Sequence, residues 1–352
     1  MPAILVANLC VLLVFAIGGL LLVVDTDLYY RSSQEDEVLE WVTFWAFLFA
    51  SIYYLRAARR DRQLRGGLPW FHIGLAAFCL LVALEEISWG QRLLGYRAPE
   101  LFLARNYQQE FNLHNLADDK LRRALLLLIL AGYGVTAALA GLVRPLRGWL
   151  ERLRFVLPPP GLIPAFGITA VIYAVYPADL TGEWVECAMG LAFLFAARWE
   201  PDGASFRPLA VATLLVAGCS VGTALVLDRI RPQDDARAAS AKLEIAALVA
   251  DFDSPRLHTR CGIHKRLYTF MVEYGQPYLR QGEFAQLAEA SGAGARAAYL
   301  LDPWNSPYWI RHRCDDGRPV AFVYSFGPDR RRDSSDTQIQ GDDIGEYLRI
   351  KH

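Results

Sequence analysis

Five side chains in the apolar part of the sequence have the chemistry of a catalytic or metal site: Glu85, Glu86, His114, Glu183 and Glu186. Carboxylate and imidazole ligands accept divalent metals, and a metal held this way activates water. Without a metal, His114 is a candidate general base. Glu85 and Glu86 are neighbours in LVALEEISWGQRLLGY, so a helix points them in different directions. Glu85, Trp89 and Arg92 share a face at i, i+4 and i+7. Glu183 and Glu186 are one turn apart in TGEWVECAMG, and Glu37 and Glu40 repeat that spacing. His114 lies within an amide-rich run containing Asn106, Gln108, Glu110, Asn112 and Asn115. Such side chains donate and accept hydrogen bonds, so they suit either a polar cavity or an irregular loop that must be tied down. Each acid also has a plainer role, because helix starts favour carboxylates through the dipole and interface acids pair with arginine. No HExxH, GxSxG or Ser-Lys motif accompanies them.

The elements that must position these groups are apolar. A bilayer core of ~30 Å needs about 20 apolar residues in a helix. Windows near 4–24, 38–55, 69–90, 124–143, 161–177, 182–198 and 209–227 predict about seven spans. The first lacks the basic flank of a secretory signal, so it reads as a retained helix. Arg56, Arg59, Arg60, Arg62 and Arg65 follow the second window, and Arg144, Arg147, Arg152 and Arg154 follow the fourth. Arg198 and Arg207 flank the sixth-to-seventh connection. The positive-inside rule makes these loops cytoplasmic. The loop with Asp25, Asp27, Glu35, Asp36 and Glu37 then faces outward. The connection holding Arg92, Arg97, Arg105, Lys120, Arg122 and Arg123 departs from the rule. On this topology the amino terminus is cytoplasmic, and the acids of spans two, three and six reach one leaflet.

The composition agrees with a two-part chain. Its 352 residues are 54% apolar and 21% charged, with a net charge of −1. That excludes a wholly soluble enzyme, a disordered chain and a disulfide-dense mini-scaffold, and it offers no basic field for nucleic acid. Residues 1–228 read as a transmembrane helical bundle and 229–352 as a small periplasmic α+β domain in a bacterial inner membrane. Cys10, Cys79, Cys187 and Cys219 sit in apolar runs as small hydrophobes. Cys261 and Cys314 share the second domain, where an oxidising compartment permits a disulfide; two buried thiols are the alternative.

Within the second domain, residues 236–252 have helical periodicity, with Leu243, Ala246, Ala247 and Ala250 on one stripe. Pro232 before them predicts a kink. A second helical stretch is expected over about 263–290. Trp309 to Arg313 and Val320 to Phe326 read as short strands around an Asp-Asp-Gly turn, and Pro328 to Asp343 as a polar loop.

Asp302-Pro303-Trp304, then Asn305, Pro307 and Tyr308, then Tyr324-Ser325-Phe326-Gly327-Pro328-Asp329 and finally Asp343-Ile344 stand in a characteristic order. Over about 236–348 this resembles the C-terminal domain of the type II secretion system major pseudopilin, the G component. The resemblance implies a helix packed on a short antiparallel sheet. It also implies a calcium ion in the last loop, with Asp329 and Asp343 carried over as ligands. Arg330, Arg331 and Arg332 beside that loop work against a cation unless they turn away. The family's basic leader and peptidase site do not precede the seventh window, so the resemblance implies a module fused to a bundle rather than a processed pilin. The pattern EEISWGQR followed by Asn106, Gln108, Glu110, Asn112 and His114 resembles one in bacterial polytopic membrane proteins without an assigned activity.

Two main functional readings stand. One is a membrane protein that displays a pseudopilin-like interaction domain to secretion-system or envelope proteins. The other is an intramembrane, metal-dependent enzyme with an outward-facing Glu/His site. A transporter reading lacks the inverted repeat expected of one.

Overall fold

The computed structural model describes residues 3–33, 37–106, 108–198, 207–230, 234–253, 257, 261–290, 294–314 and 319–350. Glu35, Asp36, Pro232, the Asp-Asp-Gly turn and the side chain of Arg92 lie outside the described residues. The chain divides into two compact units. One is Met1–Trp89 with Ala117–Val226, and the other is Gly90–Leu116 with Leu227–His352. The segment from Gly90 to Leu116, read from sequence as a bundle loop, therefore belongs with the C-terminal residues.

The first unit is helical. Its elements are α1 (Ala3–Val24), α2 (Val38–Arg65), α3 (Trp70–Glu86), α4 (Lys120–Ala140), α5 (Arg144–Arg152), α6 (Ile163–Val175), α7 (Thr181–Arg198) and α8 (Arg207–Ile230). Helix α4 widens to a π-helix over Leu128–Ala137. Helix α7 is the hub, packing on α1, α2 and α6, while α2 also packs along α3. Phe193 of α7 sits among Phe47, Phe78, Tyr133 and Phe166, with ring centroids 6.0, 5.3, 5.5 and 5.6 Å away. Aromatic rings at these separations add edge and offset attraction to the apolar contact they make.

Among the described residues, four helices are long and apolar enough to cross a membrane: α1, α2, α4 and Arg207–Leu227 of α8. Of the seven spans expected from hydropathy windows, those of α3, α6 and α7 do not reach that length and composition. The difference has a physical cause. Helix α3 stops at 17 residues and α6 at 13. Helix α7 carries Glu183, Glu186 and Arg198, and its apolar side chains are buried against its neighbours. A hydropathy window does not distinguish a side chain facing lipid from one facing another helix.

The second unit has helix α9 (Asp235–Asp251), strand β1 (Ile263–Arg266), helices α10 (Leu267–Tyr274) and α11 (Glu283–Ala290), and strands β2 (Trp309–Arg313), β3 (Val320–Ser325) and β4 (Ile344–Tyr347). Asp234 caps α9, its carboxylate accepting from the Arg237 amide. The sheet is antiparallel throughout in the order β1-β2-β3-β4, and α9 packs on β3 and β4. Between helices and sheet lies a core containing Ile245, Leu248, Phe270, Phe284, Tyr308, Ile310 and Val323. Three sequence expectations change. Residues 263–266 form an edge strand rather than the start of a helix, β4 was not foreseen, and the buried stripe of α9 is Ala241, Glu244, Ile245, Ala247 and Leu248. Leu243 is 61% exposed. A buried glutamate within that stripe had hidden its phase.

Cys261 and Cys314 form a disulfide with a Cα–Cα distance of 5.4 Å. It joins the residues flanking the paired strands β1 and β2, whose register runs from Ile263↔His312 to Arg266↔Trp309.

Candidate functional site: an acidic loop, and the placement of the bundle acids

The loop between β3 and β4 is anchored at both ends by glycines with positive φ. Gly327 has φ +70° and Gly341 φ +64°. A Cβ at Gly327 would strike the backbone carbonyl of Asp342, and one at Gly341 would strike the Asp333 carboxylate. Only glycine allows both the conformation and the approach. The close approach gathers Asp329, Asp333 and Asp342, whose carboxylate oxygens lie within 4.8 Å of one another. Backbone amides hold them in place. The Asp329 amide donates to Asp342 Oδ2 at 3.3 Å, the Asp342 amide to Asp333 Oδ2 at 3.3 Å, and the Arg331 amide to Asp329 Oδ1 at 2.7 Å.

Asp343 stands behind this group. Its Oδ2 accepts from the amides of Ser334 at 2.7 Å and Asp333 at 3.2 Å. Burial pushes its carboxyl up to about 7, with the hydrogen bonds from Ser334 opposing and the charges of Asp333 and Asp342 adding to the rise. Asp342 is raised by burial as well. Among the described residues, Oδ1 of Asp342 and Oδ1 of Asp343 are buried without a hydrogen-bond partner. Like charges this close, with buried lone pairs left over, suit a cation. Oxygens on opposite sides of a calcium ion stand about 5 Å apart, and one oxygen from each of the three carboxylates falls within that span. Two of the adjacent arginines turn elsewhere. Arg330 donates to the Trp304 carbonyl at 3.0 Å, and Arg332 to the Ser334 carbonyl at 2.8 Å and to Asp336 at 2.9 Å. Of the two ligands carried over from the family, Asp329 lies in the group, while Asp343 supports it from behind. Asp333 and Asp342 were not read from sequence. The signal for them was the glycine before Asp342, which brings its loop against Asp333.

The Asp-Pro-Trp turn is built around a buried carboxylate. Asp302 Oδ1 accepts from the amides of Trp304 at 2.9 Å and Ser306 at 2.8 Å, and its Oδ2 from the Ser325 hydroxyl at 2.6 Å. Burial raises Asp302 to about 6 despite these bonds. On the sheet face opposite α9, Arg311, Arg313 and Arg332 converge on the single carboxylate of Asp336. His264 Nε2 lies 2.9 Å from the Tyr324 hydroxyl, and its ring packs on Trp309 at 4.8 Å. Burial and the charges of Arg332, Arg311 and Arg266 push His264 well below the usual histidine range.

The acids of the first unit have the following neighbours among the described residues. Glu85 accepts from Trp89 Nε1 at 2.6 Å. Glu86 lies within electrostatic reach of Cys187. Glu183 and Glu186 reach Tyr176, together with Arg122, and Arg123 stacks over the same ring at 4.5 Å. His114 belongs to the second unit, where it opens the short turn His114–Leu116. The amides before it tie down an irregular loop. Asn106 Nδ2 donates to the Glu110 carbonyl at 2.6 Å and to Asn112 Oδ1 at 2.7 Å, and the Phe111 amide donates to Gln91 Oε1 at 2.6 Å. Gln109 Nε2 then bonds the Tyr299 carbonyl at 2.9 Å, and Phe102 and Leu103 pack with Leu301 just ahead of the Asp-Pro-Trp turn.

No protein family model, curated protein or solved structure matches the chain.

Proposed function

We propose that this chain is a membrane protein whose helical unit carries a small disulfide-closed α+β domain, presented as an interaction module outside the inner membrane of a bacterium. The observation that carries the reading is the Cys261–Cys314 disulfide, a bond that persists in oxidising compartments. The helix-on-sheet arrangement agrees with the fold of the major pseudopilin domain that the Asp-Pro-Trp and Tyr-Ser-Phe-Gly motifs resemble. The ionisable groups of this domain serve its architecture: Asp302 closes a turn, Glu244 pairs with Arg296, and His264 bonds Tyr324. That favours binding over catalysis, with secretion-system or envelope proteins as partners. Calcium held by Asp329, Asp333 and Asp342 would fix the loop between β3 and β4.

The topology proposed with this reading keeps seven crossings. Helices α3, α6 and α7 cross in the shelter of the four longer helices, as the burial of α7 supports. The arginine-rich loops then face the cytoplasm and the second unit faces outward. A second reading, an enzyme of the membrane unit, draws on Glu183, Glu186, Arg122 and Tyr176 as one charged neighbourhood. Protease added to spheroplasts tests the first reading. Digestion of residues 236–352 is expected; full protection until the membrane is breached overturns the outward display. Metal analysis of the purified protein with and without Glu186→Gln tests the second, which requires a metal lost in the variant.

A further inference from the structure

A cleft of about 420 Å³ opens in the first unit where the end of α2, the start of α3 and the residues after α5 meet. Its polar lining is Asp61, Arg65, His72, Arg147, Glu151 and Arg154. Part of this lining is already paired. Asp61 lies 3.3 Å from Arg65, Arg147 donates to Glu151 at 2.7 Å, and Arg154 Nη2 caps the last turn of α2 by donating to the Arg65 and Gly66 carbonyls. Among the described residues, three buried atoms of this lining are left over. Arg154 Nη1, Asp61 Oδ2 and His72 Nδ1 have no hydrogen-bond partner. Arg154 Nη1 and Asp61 Oδ2 form a loose ion pair at 3.7 Å, beyond a direct hydrogen bond, so each still has a hydrogen-bonding position open to a third group. Buried polar atoms left without a hydrogen bond are costly, so a ligand that supplies one is favoured.

The lining has donors and acceptors of both charges. A simple anion would satisfy Arg154 and Arg147 but would face Asp61 and Glu151. A simple cation would meet three arginines. A molecule carrying a phosphate and a primary ammonium satisfies both sets: phosphate oxygens accept from the guanidinium groups, and the ammonium donates to Asp61.

Helix α5 indicates where such a molecule comes from. Leu146, Trp149, Leu150 and Leu153 repeat at i, i+3, i+4 and i+7 on one face, and Leu146, Trp149 and Leu153 are 39%, 57% and 45% exposed. Arg147 and Glu151 occupy the opposite face and line the cleft. A short helix with basic residues on one side and exposed tryptophan and leucine on the other lies in the headgroup layer of a membrane. Trp70 Nε1 donates to the Leu153 carbonyl at 3.0 Å and ties this helix's end to α3. The cleft is therefore level with lipid phosphates.

We propose that this cleft is a binding site for the aminophosphate headgroup of a membrane lipid, with Arg147 and Arg154 on the phosphate and Asp61 on the ammonium. The inference rests on the chain being embedded in a membrane, not on the role of the second unit. Full-length protein is reconstituted in nanodiscs of equimolar phosphatidylethanolamine, phosphatidylcholine and phosphatidylglycerol, released into detergent, and its retained lipid identified by native mass spectrometry. Enrichment of phosphatidylethanolamine is expected, because the choline headgroup has no N–H to donate and the glycerol headgroup has no positive charge. Asp61→Asn should cut the enrichment over phosphatidylcholine at least fivefold, and Arg147→Gln, at an exposed and easily tolerated position, should lower total retained phospholipid. Equal retention of all three lipids overturns the site. Free phosphoethanolamine raising the melting temperature as far as the lipid does overturns the lipid as its source. Failure of the protein to enter nanodiscs at all overturns the membrane reading instead, so the two are told apart.

Discussion

Arg296 and Glu244 form an ion pair that solvent scarcely reaches. They are 3% and 2% exposed, and Arg296 Nη2 lies 2.7 Å from Glu244 Oε1. Tyr308 adds a hydroxyl donor to Glu244 Oε2 at 2.7 Å, and Arg296 Nε reaches the Asp302 carbonyl at 2.9 Å. The pair thus fastens α9 to the Asp-Pro-Trp turn. Removing one member leaves a buried charge alone, which costs about 3–5 kcal/mol. Arg296→Met and Glu244→Met should each lower the unfolding free energy, measured by denaturant titration, by an amount of that order. The double variant should lose far less than their sum, because two packed apolar side chains leave no orphan charge. Strict additivity in that cycle would show that the two groups do not interact.

The second prediction concerns pH, where two buried groups act in opposite senses. Asp302 has its folded value raised to about 6 by burial, above the usual 3.8. Between those values the folded state holds the proton more tightly than the unfolded state, so this group makes stability fall as pH rises from about 4 to 6. A shift of that size corresponds to about 3 kcal/mol. His264 has its folded value lowered, by burial first and then by nearby arginines. The unfolded chain takes up that proton first, so this group makes stability fall as pH drops below the ordinary histidine value of about 6.5. The wild-type profile mixes these two with Asp342 and Asp343, whose raised values also make stability fall as pH rises. Asp302→Asn should remove its own share of the component that falls with rising pH, and His264→Gln the component that falls with acid. Melting curves between pH 4 and 7.5 measure both; a profile unchanged by Asp302→Asn would rule out the first assignment.

How much of this was legible in the sequence follows from what each pattern encodes. Strand β3 shows itself through Val320–Ser325 because β-branched and aromatic residues crowd there, and β2 through Trp309 and Ile310 ahead of the Asp-Asp-Gly turn. The edge strands β1 and β4 are four residues long with Lys265, Arg266 and Glu346 among them, so their pairing, not their composition, defines them. The phase of α9 was misread because Glu244 is inside and Leu243 outside, an inversion that only the partner Arg296 explains. Asp329 was legible through its motif, whereas Asp333 and Asp342 join it only because the loop folds back at Gly341. The cleft around Asp61, His72 and Arg154 was not legible at all, since its residues come from segments far apart in the chain.

The disulfide gives a third prediction. Cys261 and Cys314 close a loop with a sequence separation of 53. In the chain-entropy account a loop of that length restrains the unfolded state by about 4 kcal/mol. Paired Cys261→Ser and Cys314→Ser substitutions should lower the stability of the second unit by up to that amount. Of the six cysteines in the sequence, Cys10, Cys79, Cys187 and Cys219 are free thiols. Denatured, unreduced protein should therefore take up four equivalents of an alkylating reagent and two more after reduction. Six equivalents before reduction would remove the bond and, with it, the main support for an outward-facing domain.

The last prediction concerns the acidic loop. If calcium joins Asp329, Asp333 and Asp342, adding it neutralises carboxylates that now repel one another, and the gain should appear as a calcium-dependent rise in melting temperature. Asp333→Asn removes one charge and one strong ligand, so the rise should shrink by most of its size while the fold persists. Gly341→Ala probes the same site from the backbone. Its φ of +64° disfavours a side chain, and the added Cβ meets the Asp333 carboxylate. The strain costs about 1–3 kcal/mol without the ion, and displacing Asp333 should weaken the response to it as well. Magnesium is the discriminating control, because its octahedral shell demands shorter bonds than three loosely spaced carboxylates provide. A melting temperature indifferent to calcium in the wild type, or a response left intact by both substitutions, would show that the loop closes through its backbone hydrogen bonds alone.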